Sequence, residues 1–285
     1  MEKGGEGYVF KFGNGKVVKI YSKSTQEYVA KLKSLQERLS EANLPYATPL
    51  IENIGEVGGI QYSIEKKLEG QNLESLFSKL SAEQQSQVIH NYLTALKPLR
   101  DISVADLPFG QIIDQPNSLH ATSWKTFLLN KLHQKIALSQ ERISHDVNNF
   151  PLKLLTLENM IQKMLQRDPQ KTFVHGDYYF TNVLVNESLE ISAVLDISEH
   201  TCVGDYRLDV ANINFMPLCT DITQAHIDLA RNIVIEEYGN EIIPFLDMYG
   251  FYYAFYFSNL YTFVMTSYQW CLGILNDDKR WAKYY

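Results

Sequence analysis

Three oxygen-bearing side chains, Asp177, Asn182 and Asp196, have a spacing that could support metal-dependent chemistry. Asn182 directly precedes one short apolar run, 183–185, and Asp196 directly follows a second, 191–195. Because a polar turn separates them, the two runs have the pattern of a β-hairpin. A hairpin returns to the edge where it began, so we expect Asn182 and Asp196 to lie together. Two oxygen ligands, with a further carboxylate nearby, are what a Mg²⁺-dependent transfer to a hydroxyl requires.

Residues upstream strengthen this interpretation. Taken singly, each of the three side chains is typical of a turn with surface carboxylates. A glycine-rich turn that includes Gly5 and Gly7 comes directly before a predicted hairpin, where backbone N–H groups can approach a phosphate closely. Lys19 lies among β-branched neighbours, where an inward charge is costly unless paired. A solvated lysine on a strand edge is the ordinary alternative.

The first predicted helix contains a further candidate carboxylate. Residues 24–27, Ser-Thr-Gln-Glu, have a capping-box pattern, and apolar residues follow at helical spacing. We therefore predict a helix from about residue 25 to 42. Glu27 lies in its first turn, where it can cap the helix or meet Lys19, and the sequence leaves both roles open.

The order of predicted elements indicates an α+β, bilobal chain. Residues 1–68 read as a small antiparallel β lobe with one helix, built from a hairpin around Gly13-Asn14-Gly15 and two later strands. Residues 69–285 read as a larger, mainly helical lobe. A hinge between two such lobes places a ligand in the crease.

Several positions in the helical lobe are predicted from local patterns. Amphipathic helices are expected at 124–138 and 152–166, and another at 222–238 with Asp221 as its N-cap. Asp205 is expected to cap a buried helix that carries Asp209. A buried carboxylate of that kind must be hydrogen-bonded.

Composition excludes some functional classes. The chain has 285 residues, is 45% hydrophobic and carries a net charge of −7, which indicates a globular protein and argues against nucleic acid as a partner. Three cysteines without metal spacing and the lack of an apolar leader favour a cytoplasmic protein. Residues 248–276 hold no charged side chain, but tyrosines occur all along them, so a buried helix pair is favoured over a membrane span.

The motifs together resemble the aminoglycoside phosphotransferase family, whose fold is protein-kinase-like. The resemblance rests on an ordered set of short motifs: His175-Gly176-Asp177, Asn182, Val194-Leu195-Asp196, Gly204-Asp205 and Asp209. It extends over almost the whole chain. Weaker matches make the hygromycin B phosphotransferase branch the most similar: Leu-Asp-Ile-Ser-Glu at 195–199, Asp-Val-Ala-Asn-Ile at 209–213, Pro-Phe-Gly at 108–110, and Trp124.

The resemblance implies a role for each site residue. Asp177 is the catalytic aspartate that orients or deprotonates the substrate hydroxyl, and Asn182 and Asp196 bind Mg²⁺. His175 braces the loop, and Asp209 hydrogen-bonds the loop backbone.

It also implies a nucleotide site in the small lobe. Lys19 contacts the α- and β-phosphates with Glu27 as its ion-pair partner. The turn at Gly5 and Gly7 covers the nucleotide, and backbone near Glu65 and Lys67 meets the base. Only three residues precede Gly4, so the first strand of the lobe is short or missing.

The implied activity is a Mg²⁺-dependent O-phosphotransferase that uses ATP or GTP and acts on a small hydroxylated molecule, first of all an aminoglycoside antibiotic. Four acids are candidates to receive the ammonium groups of such a cationic substrate: Glu199, Asp205, Asp277 and Asp278. The alternatives are a kinase of a metabolite (choline, homoserine, a sugar or a fructosamine) and a catalytically dead binding protein. Retention of the site residues argues against the dead protein. No nucleic acid or membrane partner is expected, and the protein is a monomer or a homodimer.

Overall fold

The computed structural model describes residues 2–3, 7–21, 24–113, 118–219, 221–262 and 264–285. Its strands are β1 Glu2–Lys3, β2 Gly7–Phe12, β3 Lys16–Tyr21, β4 Ile51–Val57, β5 Ile60–Lys66, β6 Gln71–Asn72, β7 Phe109–Gln111, β8 His120–Ala121, β9 Thr172–Val174, β10 Val183–Val185, β11 Ile191–Val194 and β12 Cys202–Gly204. Its α-helices are α1 Gln26–Ser40, α2 Leu73–Phe77, α3 Ala82–Thr94, α4 Trp124–Ile136, α5 Gln140–Asp146, α6 Phe150–Met164, α7 Arg207–Val210, α8 Gln224–Tyr238, α9 Ile243–Tyr256, α10 Met265–Leu275 and α11 Asp278–Trp281.

An antiparallel sheet with the order β1-β2-β3-β5-β4 forms the N-terminal lobe. The predicted hairpin of β2 and β3 is confirmed, and Gly13 and Gly15 give its turn φ angles of +58° and +73°. Such angles cost glycine little because it has no Cβ. The first strand, β1, is present and only two residues long.

Helix α1 follows the first three strands in the chain and carries the predicted apolar stripe. Tyr28, Leu32 and Leu39 on that stripe are buried. The helix begins after Thr25, whose hydroxyl accepts the N–H of Tyr28 at 3.2 Å. The predicted capping box, which made Ser24 the cap, is therefore wrong by one residue.

The two lobes meet along the chain segment after α1. Ala47 exchanges backbone hydrogen bonds with Ser192 and Val194 of β11 at 2.9 and 3.0 Å, and the Tyr46 hydroxyl donates to the Ala95 carbonyl at 2.8 Å. Because β5 ends at residue 66 and β6 at 71–72 already pairs with β10, the predicted boundary after residue 68 falls in the intervening segment. That boundary stays a prediction.

The C-terminal aromatic stretch forms one buried helix and one partly exposed helix. Every residue from 246 to 256 in α9 is buried. Helix α10 follows after a 3₁₀ turn and buries only Tyr268, Cys271 and Leu275. The predicted buried helix is therefore confirmed for α9, whereas α10 packs only one of its faces. Within the described ranges, no helix is long and apolar enough to cross a membrane.

The cap residues of two helices differ from the prediction, since Thr223 replaces Asp221 at α8 and Tyr206 replaces Asp205 at α7. Helix α8 begins after Thr223, whose N–H donates to His226 Nδ1 at 3.1 Å, and not after Asp221. Asp205 accepts the N–H of Arg207 at 3.0 Å, and α7 begins at that arginine. All three cysteines are buried and free.

Candidate active site

The central hairpin forms as predicted. Strands β10 and β11 pair antiparallel with Val183 opposite Val194, and the N–H of Leu195 donates to the Asn182 carbonyl at 2.8 Å. Asn182 and Asp196 therefore lie at the same edge. The backbone of Asp196 is left-handed, with φ of +57°, and its side chain is 36% exposed.

The side chain of Asn182 holds the carboxylate of Asp177. Its Nδ2 donates to both the Asp177 carbonyl, at 2.9 Å, and Asp177 Oδ2, at 3.0 Å. Because the amide nitrogen is directed at Asp177, Oδ1 is the Asn182 atom left to act as a metal ligand.

Helix α7 supplies a buried clamp for the loop that follows β9. We call this loop the catalytic loop because it carries Asp177, the predicted catalytic residue. Asp209 Oδ2 accepts the N–H of His175 at 2.7 Å, and Oδ1 accepts the N–H of Gly176 at 2.9 Å. Burial raises the pKa of Asp209, while the nearby His175 and these two N–H donors oppose the shift. The prediction that Asp209 hydrogen-bonds this loop is confirmed by the two contacts.

His175 is buried and links the loop to the hairpin. Its Nε2 lies 2.7 Å from the Leu195 carbonyl, and its Nδ1 accepts the N–H of Asp177 at 3.2 Å. The neutral ring with its proton on Nε2 satisfies both contacts. The ring thus fixes the backbone next to Asp177 relative to the residue before Asp196.

Lys19 connects the small lobe to this edge. Its Nζ lies 3.6 Å from Asp196 Oδ1, with the two side chains 18% and 36% exposed. Glu27 forms an ion pair with Lys31 of its own helix at 2.9 Å, and its side chain is 75% exposed. The structure thus brings Lys19 to Asp196, the predicted metal ligand, while the Lys19–Glu27 pair stays a prediction.

Of the other residues predicted to bind the nucleotide, those that the structure describes lie in the sheet or next to it. Gly5 lies outside the described residues, and Gly7 begins β2. Glu65 is buried, and its carboxylate accepts the Ser63 hydroxyl at 2.6 Å. The N–H of Lys67 donates to the Gly15 carbonyl at 2.9 Å, so that amide is already used within the lobe. Contact of this segment with a base stays a prediction.

A cavity of about 310 Å³ lies between α4 and the segment around His200. Its lining includes Gln111, Lys131, Lys135, Glu199, His200 and Tyr256. A second, smaller cavity of about 30 Å³ shares several of these residues and reaches Gly176 of the loop. We call the two spaces together the acceptor cavity.

Gly176 is required where the loop meets this cavity. Its φ is +78°, and a Cβ there would lie 2.2 Å from the His200 carbonyl oxygen. No side chain fits that space, so the catalytic loop and the segment around His200 are held in direct contact.

Of the four acids predicted to receive a cationic substrate, the acceptor cavity contains only Glu199. Asp205 is fully buried, where it binds Arg207 at 2.6 Å and accepts the Tyr249 hydroxyl at 2.7 Å. Asp277 caps α11, and Asp278 pairs with the buried Lys153 at 2.7 Å. The last three acids therefore have partners within the fold and do not line this cavity, and their contact with a substrate stays a prediction.

The two lysines of the acceptor cavity were not predicted from the sequence. Lys131 lies on the buried stripe of α4 with Phe127 and Leu128, and Lys135 follows one turn later. A lysine at a core position of an amphipathic helix is the signal that could have found them, because burial penalises its charge. Burial is the largest cause that lowers both pKa values, that of Lys131 to about 8.

The residues at the hairpin edge fit a magnesium ion. Asn182 Oδ1 and the Asp196 carboxylate are hard oxygen donors, the kind Mg²⁺ prefers. Mg²⁺ takes few protein ligands and completes its shell with water and phosphate oxygens. Among the described residues, no group of three or more His, Cys, Asp or Glu side chains is arranged to hold a metal ion.

The fold and this arrangement define the class of protein. A small antiparallel lobe carries Lys19, and a larger helical lobe carries Asp177 with Asn182 and Asp196, the predicted oxygen ligands. This is a protein-kinase-like phosphotransferase. Residues 2–249 match the model of the APH phosphotransferase enzyme family, and the chain belongs to that family.

Solved structures of similar fold agree with this assignment. The GDP complex of an aminoglycoside 2'-phosphotransferase of type IIIa is 15% identical, with a TM-score of 0.66 over 100% of this chain and 92% of that one. The ternary complex of APH(2")-IIa with streptomycin and ATP is 15% identical, with a TM-score of 0.64 over 96% and 89%. Macrolide 2'-phosphotransferase type I is 16% identical, with a TM-score of 0.57 over 92% and 83%. At these identities the likeness shows the fold alone. No curated protein matches the chain.

Proposed function

We propose that this phosphotransferase moves the γ-phosphate of ATP or GTP to a hydroxyl group of a small molecule in a Mg²⁺-dependent reaction. The observation that carries the proposal is the convergence of Lys19, Asp177 and Asp196 from separate elements at one edge. Lys19 lies 3.6 Å from Asp196 across the lobes, and Asn182 links that edge to Asp177. A lysine, two metal ligands and a carboxylate that can accept the hydroxyl proton are the parts that phosphoryl transfer needs.

Each residue has a distinct task in this reaction. Asp177 accepts or orients the hydroxyl proton of the substrate, and Asn182 fixes its direction through the bond to Oδ2. Asn182 Oδ1 and Asp196 would hold Mg²⁺, which neutralises the negative charge of the nucleotide phosphates when bound. Lys19 places a positive charge at the same edge.

The acceptor cavity is the proposed site of the hydroxylated substrate. It touches Gly176, the residue before Asp177. Complexes of similar fold contain ATP, ADP or GDP, and three of them also contain streptomycin or kanamycin, so an aminoglycoside is the first acceptor to consider. A hygromycin B phosphotransferase-like role rests on the sequence motifs alone. The lining of the cavity bears on the choice between an aminoglycoside and a metabolite.

Turnover of nucleotide with and without Mg²⁺ tests the proposal. We expect the wild type to release ADP or GDP in the presence of Mg²⁺ and an acceptor, and chelation to abolish the release. Asp196→Asn removes the charge of one metal ligand, so we expect at least about a hundredfold loss of kcat/KM. Asp101→Asn, at an exposed position of a 3₁₀ helix, is the matched control. Equal turnover in Asp196→Asn and wild type would contradict the proposal.

A further inference from the structure

The acceptor cavity is positively charged among its described lining residues. Lys131 and Lys135 bring two ammonium groups from α4, and Glu199 brings one carboxylate. The chain as a whole carries a net charge of −7, so this local excess runs against the overall balance. A cationic substrate with several ammonium groups would meet repulsion here.

Lys131 occupies a position where a lysine does not serve packing. It is 7% exposed, and on the same stripe α4 carries Phe127, Leu128 and Leu132. An apolar side chain would fill that position without the cost of burying a charge. Its Nζ donates to Gln111 Oε1 at 2.8 Å, and an ammonium group has three N–H donors.

Lys135 adds a second charge at the mouth of the same space. Its Nζ lies 4.7 Å from the centre of the Tyr256 ring, which lines both parts of the cavity. Glu199 opposes the fall in both lysine pKa values, yet burial still dominates and both remain lowered. Within the described residues, the carboxylate of Glu199 does not offset the cost of burying the two ammonium groups.

The inner end of the cavity leads towards the catalytic loop. Gly176 and Tyr253 both line the smaller space of about 30 Å³. The Tyr253 hydroxyl is buried and has no hydrogen-bond partner among the described residues. A buried hydroxyl without a partner is costly, and a polar group of a bound ligand, or a water held with it, would satisfy this one.

We propose that the acceptor carries an anionic group, a carboxylate or a phosphate, bound by Lys131 and Lys135 while its hydroxyl faces Asp177. This inference rests on the proposed function and specifies its substrate class. The volume of about 310 Å³ is at the lower end of the range for ligand pockets. The site therefore suits a small hydroxylated acid or sugar phosphate better than a polyamine of several rings.

Four sugars of similar size test the charge preference directly. Gluconate and glucose 6-phosphate are anionic, glucose is neutral and glucosamine is cationic, while all four present several hydroxyl groups. Binding of each to the protein in the presence of Mg²⁺ and a nucleotide is measured by calorimetry, with kanamycin as a polycationic comparison. We expect at least one anion to bind about tenfold or more tightly than glucose, and glucosamine and kanamycin to bind most weakly.

Variants of α4 connect any preference to the lysines. A charge-assisted hydrogen bond lost from the site corresponds to about a tenfold to hundredfold rise in Kd. We expect this rise for the preferred anion in Lys131→Met and Lys135→Gln, with little change for glucose. Lys125→Gln removes the same charge from the same helix outside the described cavity lining and should leave the Kd of the anion as in wild type.

The outcomes separate this inference from the proposed function. Tighter binding of glucosamine or kanamycin, the absence of any preference for either anion, or equal affinity in the lysine variants would overturn the anionic acceptor. Those results leave Mg²⁺-dependent nucleotide turnover intact. If the wild type neither bound nor turned over a nucleotide, the proposed function would instead be refuted. Gluconate and glucose 6-phosphate, compared with each other, distinguish a carboxylate site from a phosphate site.

Discussion

At the scale of single residues, the amide group of Asn182 holds the carboxylate of Asp177, the proposed base. Asn182 Nδ2 contacts both the carbonyl and Oδ2 of Asp177. The same side chain is then oriented to offer Oδ1 to a metal. Asn182 therefore connects the proposed base to the proposed metal site, so a change at Asn182 should affect both.

Lys131 gives the site a dependence on pH. Its pKa is lowered to about 8 from an ordinary value of 10.5, mainly by burial and then by Lys135, while Glu199 and Cys202 oppose the shift. The ammonium form prevails below pH 8 and is lost above it. We therefore expect the Kd of an anionic probe such as gluconate to rise between pH 7 and 9, and that of glucose to stay constant.

Calorimetry at each pH checks this prediction, with Lys131→Met as the comparison. The variant should show a weaker dependence on pH over this range because it has lost the titrating group. The effect of pH on folding stability has the opposite sign to its effect on anion binding. Between about pH 8 and 10.5 the unfolded chain binds more protons at this lysine than the folded chain, so its contribution favours the folded state as pH rises. A gluconate Kd that falls from pH 7 to 9 would contradict the assignment.

At the scale of elements, a short helix fixes the catalytic loop. Asp209 of α7 accepts two backbone N–H groups of the loop, and Tyr92 and Tyr178 exchange hydroxyl-to-carbonyl bonds at 2.8 Å on its other side. Buried backbone donors need such partners. The loop is therefore held from α3 and from α7 at once.

Asp209→Asn tests the clamp. The amide has one oxygen and one NH₂ group, so one buried N–H of the loop loses its acceptor and faces a donor. We expect the free energy of unfolding to fall by about 2 to 3 kcal/mol, and phosphoryl transfer to fall with it as the loop shifts. Urea unfolding measures the first effect, with Asp101→Asn as control. A variant as stable and as active as wild type would show that the two bonds are dispensable.

The hairpin and the small lobe could be predicted because local patterns determine them. Alternating apolar runs and the Gly13-Asn14-Gly15 turn sufficed for β2, β3, β10 and β11. Helix caps were less reliable. Thr25 and Thr223 are the caps instead of their neighbours, since several hydrogen-bonding side chains lie near each helix start.

The acceptor cavity could not be predicted because it depends on packing between distant segments. Lys131, Glu199 and Tyr256 lie far apart in the sequence and meet only when α4, α9 and the segment after β11 pack together. Charge alone did not distinguish Glu199, which lines the cavity, from Asp205, Asp277 and Asp278, which do not. Each has a partner within the fold, which sequence spacing does not reveal.

At the scale of the whole molecule, the ion pair between Lys19 and Asp196 spans the two lobes. Other contacts between the lobes do not place a charge at the site, among them the ion pair of Arg38 and Asp106 at 2.6 Å. That second pair is exposed and contributes little. A nucleotide bound beside Lys19 would therefore add stability that depends on both lobes.

Lys19→Met tests this coupling. At a Mg²⁺-nucleotide concentration a hundredfold above Kd, binding adds about 2.7 kcal/mol of stability to the wild type. We expect a rise of several degrees in Tm for the wild type and a much smaller rise for the variant. Arg38→Met, which removes a cation from the other interlobe pair, should respond like the wild type. Equal shifts in all three proteins would exclude Lys19 from the nucleotide site.

Transfer of labelled γ-phosphate in Asp177→Asn is the most direct test of the central claim. The substitution keeps the shape of the side chain and removes its ability to accept the hydroxyl proton, which is worth about a hundredfold to ten-thousandfold in rate. We predict that the wild type phosphorylates an acceptor with Mg²⁺ and nucleotide, and that the variant loses kcat to this extent while it keeps its nucleotide affinity and stability. Phosphorylation by Asp177→Asn at the wild-type rate would contradict the account.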